Sequence, residues 1–217
     1  PCSTSWSVSG TTYTCNGDGR VTLNNNDVIS VSAGSITLVA ANGFQLGTNV
    51  TLGRNSNRVN LQATYGSVVV AANSVIWGNV QTSSGAVGLI SSTIHGNVQT
   101  DAAYNHNGGA VNGNINATNG VVLTDVTVSG TVTANSDVSL TGGSIAGRVT
   151  SSSNKVTATN STLQNGVSGS SGIQISGGTL SGDVQSVCNN IVLTNATILA
   201  GDIKTSPQLG SGCAADR

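Results

Sequence analysis

Ile76-Trp77-Gly78-Asn79-Val80, Ile94-His95-Gly96-Asn97-Val98 and Val111-Asn112-Gly113-Asn114-Ile115 are three renderings of one phrase: aliphatic, variable, glycine, small polar, aliphatic. It continues as Val128-Ser129-Gly130-Thr131-Val132 and Ile145-Ala146-Gly147-Arg148-Val149. Leu163-Gln164-Asn165-Gly166-Val167 has Asn in the glycine slot, Leu180-Ser181-Gly182-Asp183-Val184 closes the clean series, and Ile198 to Ile203 is a degenerate copy. The glycines step by 18, 17, 17 and 17 residues, then by 35 across the Asn165 copy. A fixed period this short marks a stacked-repeat architecture.

Between these phrases lies a second one that alternates: Val87-Gly88-Leu89, Val138-Ser139-Leu140, Val156-Thr157-Ala158, Ile173-Gln174-Ile175 and Ile191-Val192-Leu193. Alternation of period two is the signature of a β-strand with one buried face. Each period thus supplies about four inward aliphatics from three short strands, with Gly, Asn and Ser at the corners. Stacking each period on the last keeps a constant step, which hairpins do not. The sequence therefore predicts an all-β, single-domain, three-sided β-solenoid of about 17–18 residues per coil. Its narrow column is filled by Val, Ile and Leu, each worth about 1.5–3 kcal/mol before entropy. The repeated glycine reads as a corner where a side chain would crowd the turn.

The first third is looser. Val21-Thr22-Leu23, Ile36-Thr37-Leu38, Phe44-Gln45-Leu46, Val50-Thr51-Leu52, Val59-Asn60-Leu61 and Val68-Val69-Val70 are strand-like, but their spacing varies. The expected organisation is a cap over residues 1–20, irregular early coils over 21–75, regular coils over 76–205 and a C-terminal cap or tail over 206–217.

Composition agrees and excludes. Charged residues are 7% of the 217, all eight acids are Asp, and 29 residues are Gly. Such a chain disfavours helices. A net charge of −1 with seven Lys and Arg argues against nucleic acid, and no apolar run is long enough to insert in a membrane. There is no Met, so Pro1 is expected to follow a cut rather than an initiator. Cys2 and Cys15 bracket one end, and Cys188 and Cys213 the other. Local pairing at each end is expected; no CxxC supports a metal site, and neither a metal nor a cofactor is expected. Two terminal disulfides would cap the open strand edges of a solenoid and would imply an oxidising compartment, hence a secreted or cell-surface protein. Trp6 and Tyr13 are expected to plug the N-terminal opening, with Pro207 and the Gly-Ser tail at the other.

The phrase and its 17-residue step resemble the bactofilin-type β-helix over about residues 68–205, which implies a right-handed, three-sided helix. Bactofilins are cytoplasmic polymers without terminal disulfides, and the Cys-bracketed, Asn- and Thr-rich chain departs from them there. In that respect it is more similar to the surface-exposed part of a bacterial adhesin or pilus-associated protein of the MshQ-like kind.

Catalytic chemistry is not expected. Asp18, Asp27, Asp101, Asp125, Asp137, Asp183, Asp202 and Asp216 are spread along the chain rather than gathered in a cleft. Asp183 and Asp202 occupy similar slots one coil apart, where Asp serves as a turn residue. Two features suggest binding instead. His95 and Trp77 share the outward slot of the glycine phrase, and in the next coil Ala102-Ala103-Tyr104 is read as replacing the alternating phrase. Trp77, His95, Asp101, Tyr104 and His106 are therefore candidates for an aromatic and polar patch suited to a sugar ring. The second feature is two files of outward hydroxyls. One holds Thr93, Thr127, Ser144, Thr162, Thr179 and Thr197; the other, three residues earlier, holds Thr124, Thr141, Thr159, Ser176 and Thr194. They resemble the ice-binding face of solenoid antifreeze proteins, although a corner is expected between them. The functional expectation is a secreted, non-enzymatic adhesive or structural module of a surface appendage or filament. Its partners would be a surface glycan or neighbouring subunits. The alternative is ice binding, and a polysaccharide-active enzyme is a distant third.

Overall fold

The computed structural model describes residues 2–205. They contain strands and turns and no helix, so no helix is long and apolar enough to cross a membrane. The chain winds into a β-solenoid whose strands fall on three faces. On the first, Val21–Leu23, Phe44–Leu46 and Val68–Val70 lead through the regular coils to Ile191–Thr194. The second runs from Val28–Ile29 to Thr197–Ala200, and the third from Thr12–Cys15 to Ile203–Thr205. Strands pair parallel with their counterparts one coil away. The exception is the N-terminal hairpin, where Trp6–Ser9 runs antiparallel to Thr12–Cys15.

The early coils obey the same rule as the later ones. Val21, Phe44, Val68 and Val87 are successive register partners, so the first coils take 23, 24 and 19 residues. Their corners are longer while their strands stay in register. From Val87 the step settles at 17 to 18, as Val87, Tyr104, Val121, Val138 and Val156 show.

The column is fuller than the sequence pattern suggests. The coil beginning at Val121 buries Val121, Leu123, Val126, Val128, Val132 and Ala134, six inward side chains rather than four. The two additional positions lie beside corners, where small residues fit. Hydroxyls are admitted there when a carbonyl is in reach. Thr100 Oγ1 donates to the Gly85 carbonyl at 2.9 Å, and Ser151 Oγ to that of Ser136 at 2.7 Å. No buried side-chain nitrogen or oxygen among the described residues lacks a partner.

Two corners carry distinct backbone devices. Between the first and second faces each coil turns through a residue in the left-handed region. Asn26, Asn49, Asn73, Ser91, Asp125, Asn160 and Asn195 stand there with φ between +44° and +65°, and Gly108, Gly142 and Gly177 fill the slot in other coils. Asn and Asp tolerate this conformation better than other residues with side chains. Ser91 in Val87–Ile94, Asp125 in Val121–Val128 and the pair Gly108-Gly109 in Tyr104–Val111 each bend an otherwise continuous strand. Between the second and third faces stand the glycines of the phrase. A Cβ on Gly113 would overlap the carbonyl oxygen of Gly96, and one on Gly130 would overlap that of Gly113. At these two corners the glycine is therefore required by the coil beneath it. Beside it the Asn97 N–H donates to Asn79 Oδ1, the Asn114 N–H to Asn97 Oδ1 and the Thr131 N–H to Asn114 Oδ1, each at 2.8 Å.

At the N-terminus Cys2 and Cys15 are bonded, with their Cα atoms 5.4 Å apart. Trp6 and Tyr13 share the face of the hairpin that carries buried Cys15, but at 41% and 36% exposed they do not fill the column. The seal is the disulfide itself. Cys15 is buried and Cys2 packs against the core. Cys188 is not free. Cys213, the partner expected for it, and Pro207 lie outside the described residues.

Two glycine substitutions separate corner crowding from glycine's flexibility. Gly113→Ala should cost about 1–3 kcal/mol by thermal or denaturant unfolding, because the new methyl meets backbone that cannot swing aside. At Gly88 an added methyl would meet nothing within 4 Å. Gly88→Ala should therefore be neutral or gain up to about 1 kcal/mol in the same measurement.

Candidate binding face

The second face positions Trp77. Val75 and Ile76 pair with Thr93 and Ile94, so the next residues, Trp77 and His95, project outward one above the other. Their rings stack with centroids 3.5 Å apart and planes 7° from parallel. Asn112 extends the file by one coil: its Nδ2 donates to His95 Nδ1 at 2.8 Å. That bond assigns the remaining imidazole hydrogen to Nε2. Partial burial, and after it the positive charge of Arg58, hold the His95 pKa below its ordinary value, so the ring stacks on the indole in its neutral form. On the coil before, the equivalent position is Gly53, which places no side chain against the other indole face. The aromatic ring is thus held at a fixed orientation, with an amide at one end of its file.

The other three candidate residues do not join this patch. Tyr104 and His106 point into the column, 0% and 2% exposed. Tyr104 takes the slot of Val87 and Val121, and His106 that of Leu89 and Leu123. The alternating phrase of this coil is therefore Tyr104-Asn105-His106 itself, and Ala102-Ala103 belongs to the preceding corner. Burial is tolerated because the two polar groups satisfy each other. Tyr104 Oη donates to His106 Nδ1 at 2.9 Å, and His106 Nε2 donates to the Ser92 carbonyl at 3.1 Å. Their rings meet edge to face, with centroids 5.9 Å apart. Asp101 projects at the end of a third-face strand, where it accepts from Thr118 Oγ1 at 3.3 Å. It borders a polar depression of about 170 Å³ with Gln99, Asn116, Thr133 and Asn135.

A larger depression escaped the pattern reading. Val69, Gly88, Asn105 and Val122 form the outward file of the first face. Gly88 leaves a gap in that file, and half-exposed Val69, Ile90 and Val122 surround it. The resulting groove measures about 380 Å³, with Asn105 and Asn107 on its border. The available signal was an apolar residue at an outward slot twice, in Val68–Val70 and again at Val122, on either side of a glycine.

The threonine files are in register. Thr93 is followed by Ala110, Thr127, Ser144, Thr162, Thr179 and Thr197. Thr124 is followed by Thr141, Thr159, Ser176 and Thr194. Asp125, Gly142, Asn160, Gly177 and Asn195, all at positive φ, separate the two files, which therefore lie on different faces. Asp183 and Asp202 are neighbours as expected, but their contact is a turn device. The Asp202 N–H donates to Asp183 Oδ1 at 3.0 Å, and Lys204 Nζ pairs with Asp202 at 3.0 Å. Among the described residues no group of three His, Cys, Asp or Glu could hold a metal ion.

Comparison with protein-family models, with curated proteins and with solved structures returned no match.

Burial holds the His106 pKa down to about 4 against a backbone hydrogen bond that raises it. As pH falls through 6.5 the unfolded chain takes up this proton first, so stability is full above about pH 6.5 and declines until about pH 4. The decline should reach about 3 kcal/mol. Combining Tyr104→Val with His106→Leu restores the Val-x-Leu phrase and should flatten that part of the stability–pH curve, measured by urea unfolding from pH 7.5 to 4.

Proposed function

We propose that the chain is a non-enzymatic adhesive or structural module of a cell-surface appendage or extracellular filament, in keeping with the MshQ-like resemblance of its sequence. The observation that carries the reading is the Trp77–His95–Asn112 file. An indole held against an imidazole, with the Asn112 amide bonded to the imidazole one coil further on, presents an apolar face and hydrogen-bonding groups on a rigid scaffold. Sugar rings call for that combination, an aromatic platform for the C–H face and amide groups for the hydroxyls. Rigidity matters because a preorganised site loses little entropy on binding. The Cys2–Cys15 disulfide supports an extracellular setting, since such bonds persist in oxidising compartments.

The ice-binding alternative draws on the in-register hydroxyl files. Their division between two faces, with Ala110 interrupting one of them, favours the adhesive reading over it.

A glycan array separates the two. The wild-type chain should bind a subset of glycans, and Trp77→Ala should abolish the signal while the unfolding midpoint stays within about 2 °C, as for a surface substitution. Ice recrystallisation should be unaffected by the chain. Inhibition of recrystallisation, lost when Thr141 and Thr159 are replaced by Tyr, would establish the alternative instead.

A further inference from the structure

We infer that the Trp77 site takes a carboxylate-bearing sugar, a uronate or sialate ring, and that Arg54 and Arg58 supply its charge recognition. The inference rests on the adhesive reading and narrows its ligand class. The coil just before Trp77 is one of the long ones, and part of its added length is a turn from Gly53 to Val59. The Arg54 N–H donates to the Asn57 carbonyl at 2.9 Å, and the Asn57 N–H returns to the Arg54 carbonyl at 3.1 Å. Asn57 is buried and anchors the turn: its Nδ2 donates to the carbonyls of Val31 at 2.7 Å and Ser32 at 3.0 Å. The turn is therefore a fixed feature rather than a loose excursion.

Both ends of the turn abut Trp77. Gly53 continues the strand that pairs with Val75 and Ile76, and Val59 N–H donates to the Trp77 carbonyl at 2.8 Å. Arg54 follows the first of these neighbours and Arg58 precedes the second. Both arginines are exposed, and among the described residues neither side chain makes an ion pair or a hydrogen bond. Arg58 stands close enough to His95 to disfavour a second positive charge there. Asp27, on the coil before, directs Oδ2 to the Asn24 N–H at 2.7 Å.

In a chain with only seven Lys and Arg, two of them on one anchored turn beside the aromatic platform form an unusual concentration of positive charge. Guanidinium groups pair with carboxylates in a planar, two-pronged geometry. A sugar ring lying on the indole would place a ring carboxylate toward that turn.

The test measures binding of the full chain to sialyllactose and oligogalacturonate, with lactose and maltotriose as neutral controls and dextran sulfate as a bare polyanion. The acidic sugars should bind and the neutral ones should bind at least about tenfold more weakly. Arg54→Ala with Arg58→Ala should remove that preference, and Trp77→Ala should remove binding, without shifting the unfolding midpoint. Equal binding of neutral and acidic sugars, dependent on Trp77 but indifferent to the arginines, overturns the charge assignment and leaves adhesion standing. Equally tight binding of dextran sulfate that ignores Trp77→Ala overturns it as general polyanion attraction. Absence of any Trp77-dependent sugar binding overturns the adhesive reading itself.

Discussion

The structure depends on one constraint: along the axis, the neighbour of every residue is its counterpart one coil away. Parallel backbone hydrogen bonds set that neighbour at the strand spacing of about 4.8 Å. At the glycine corner the constraint is at its tightest, since the carbonyl of one coil occupies the space a side chain of the next would need. Inside the column it demands apolar groups that stack on themselves. Outside, it penalises like charges and rewards side chains that bond their own kind. The run from Asn79 to Asn97 to Asn114, each amide oxygen accepting from the next coil's backbone, is such a self-bonding ladder.

Composition follows from this. Asn is abundant because it serves two corners. It turns the chain at positive φ between the first and second faces, and it bridges coils beside the glycines. Low charge is the corresponding absence, because a lysine or aspartate file would repel itself at every step. The positions that break a file then stand out: Gly88 in the first face, Trp77 over Gly53 in the second, and the Arg54–Arg58 turn. Each presents to solvent something the repeat does not supply.

The period, the inward aliphatics and the glycine corner were legible in the sequence because they are strict, local and repeated. The early coils looked irregular because chain spacing varies when corners lengthen, although Val21, Phe44 and Val68 hold their register. Placing the alternating phrase of their coil at Ala102-Ala103-Tyr104 makes Tyr104 and His106 look like a departure from the repeat, and hence like part of a surface patch. Their position 17 residues after Val87 and Leu89 was the better guide, and the hydrogen bond between them explains why the column accepts them. Trp77 and His95 were legible as a pair because they share a slot. The arginine turn was not, since its proximity to Trp77 arises from pairing across a coil of non-standard length.

Cross-linking measures the coil register in solution. Thr133 and Thr150 are register partners on the third face, both projecting outward. Opposed Cα atoms at strand spacing fall within the range a disulfide spans. With Thr133→Cys and Thr150→Cys introduced together, mild oxidation followed by peptide mass mapping should yield the 133–150 bridge in nearly all molecules, with the Cys2–Cys15 disulfide intact. A bridge that forms instead when the second cysteine is moved to Ser152 would contradict the stacked register on which the account rests.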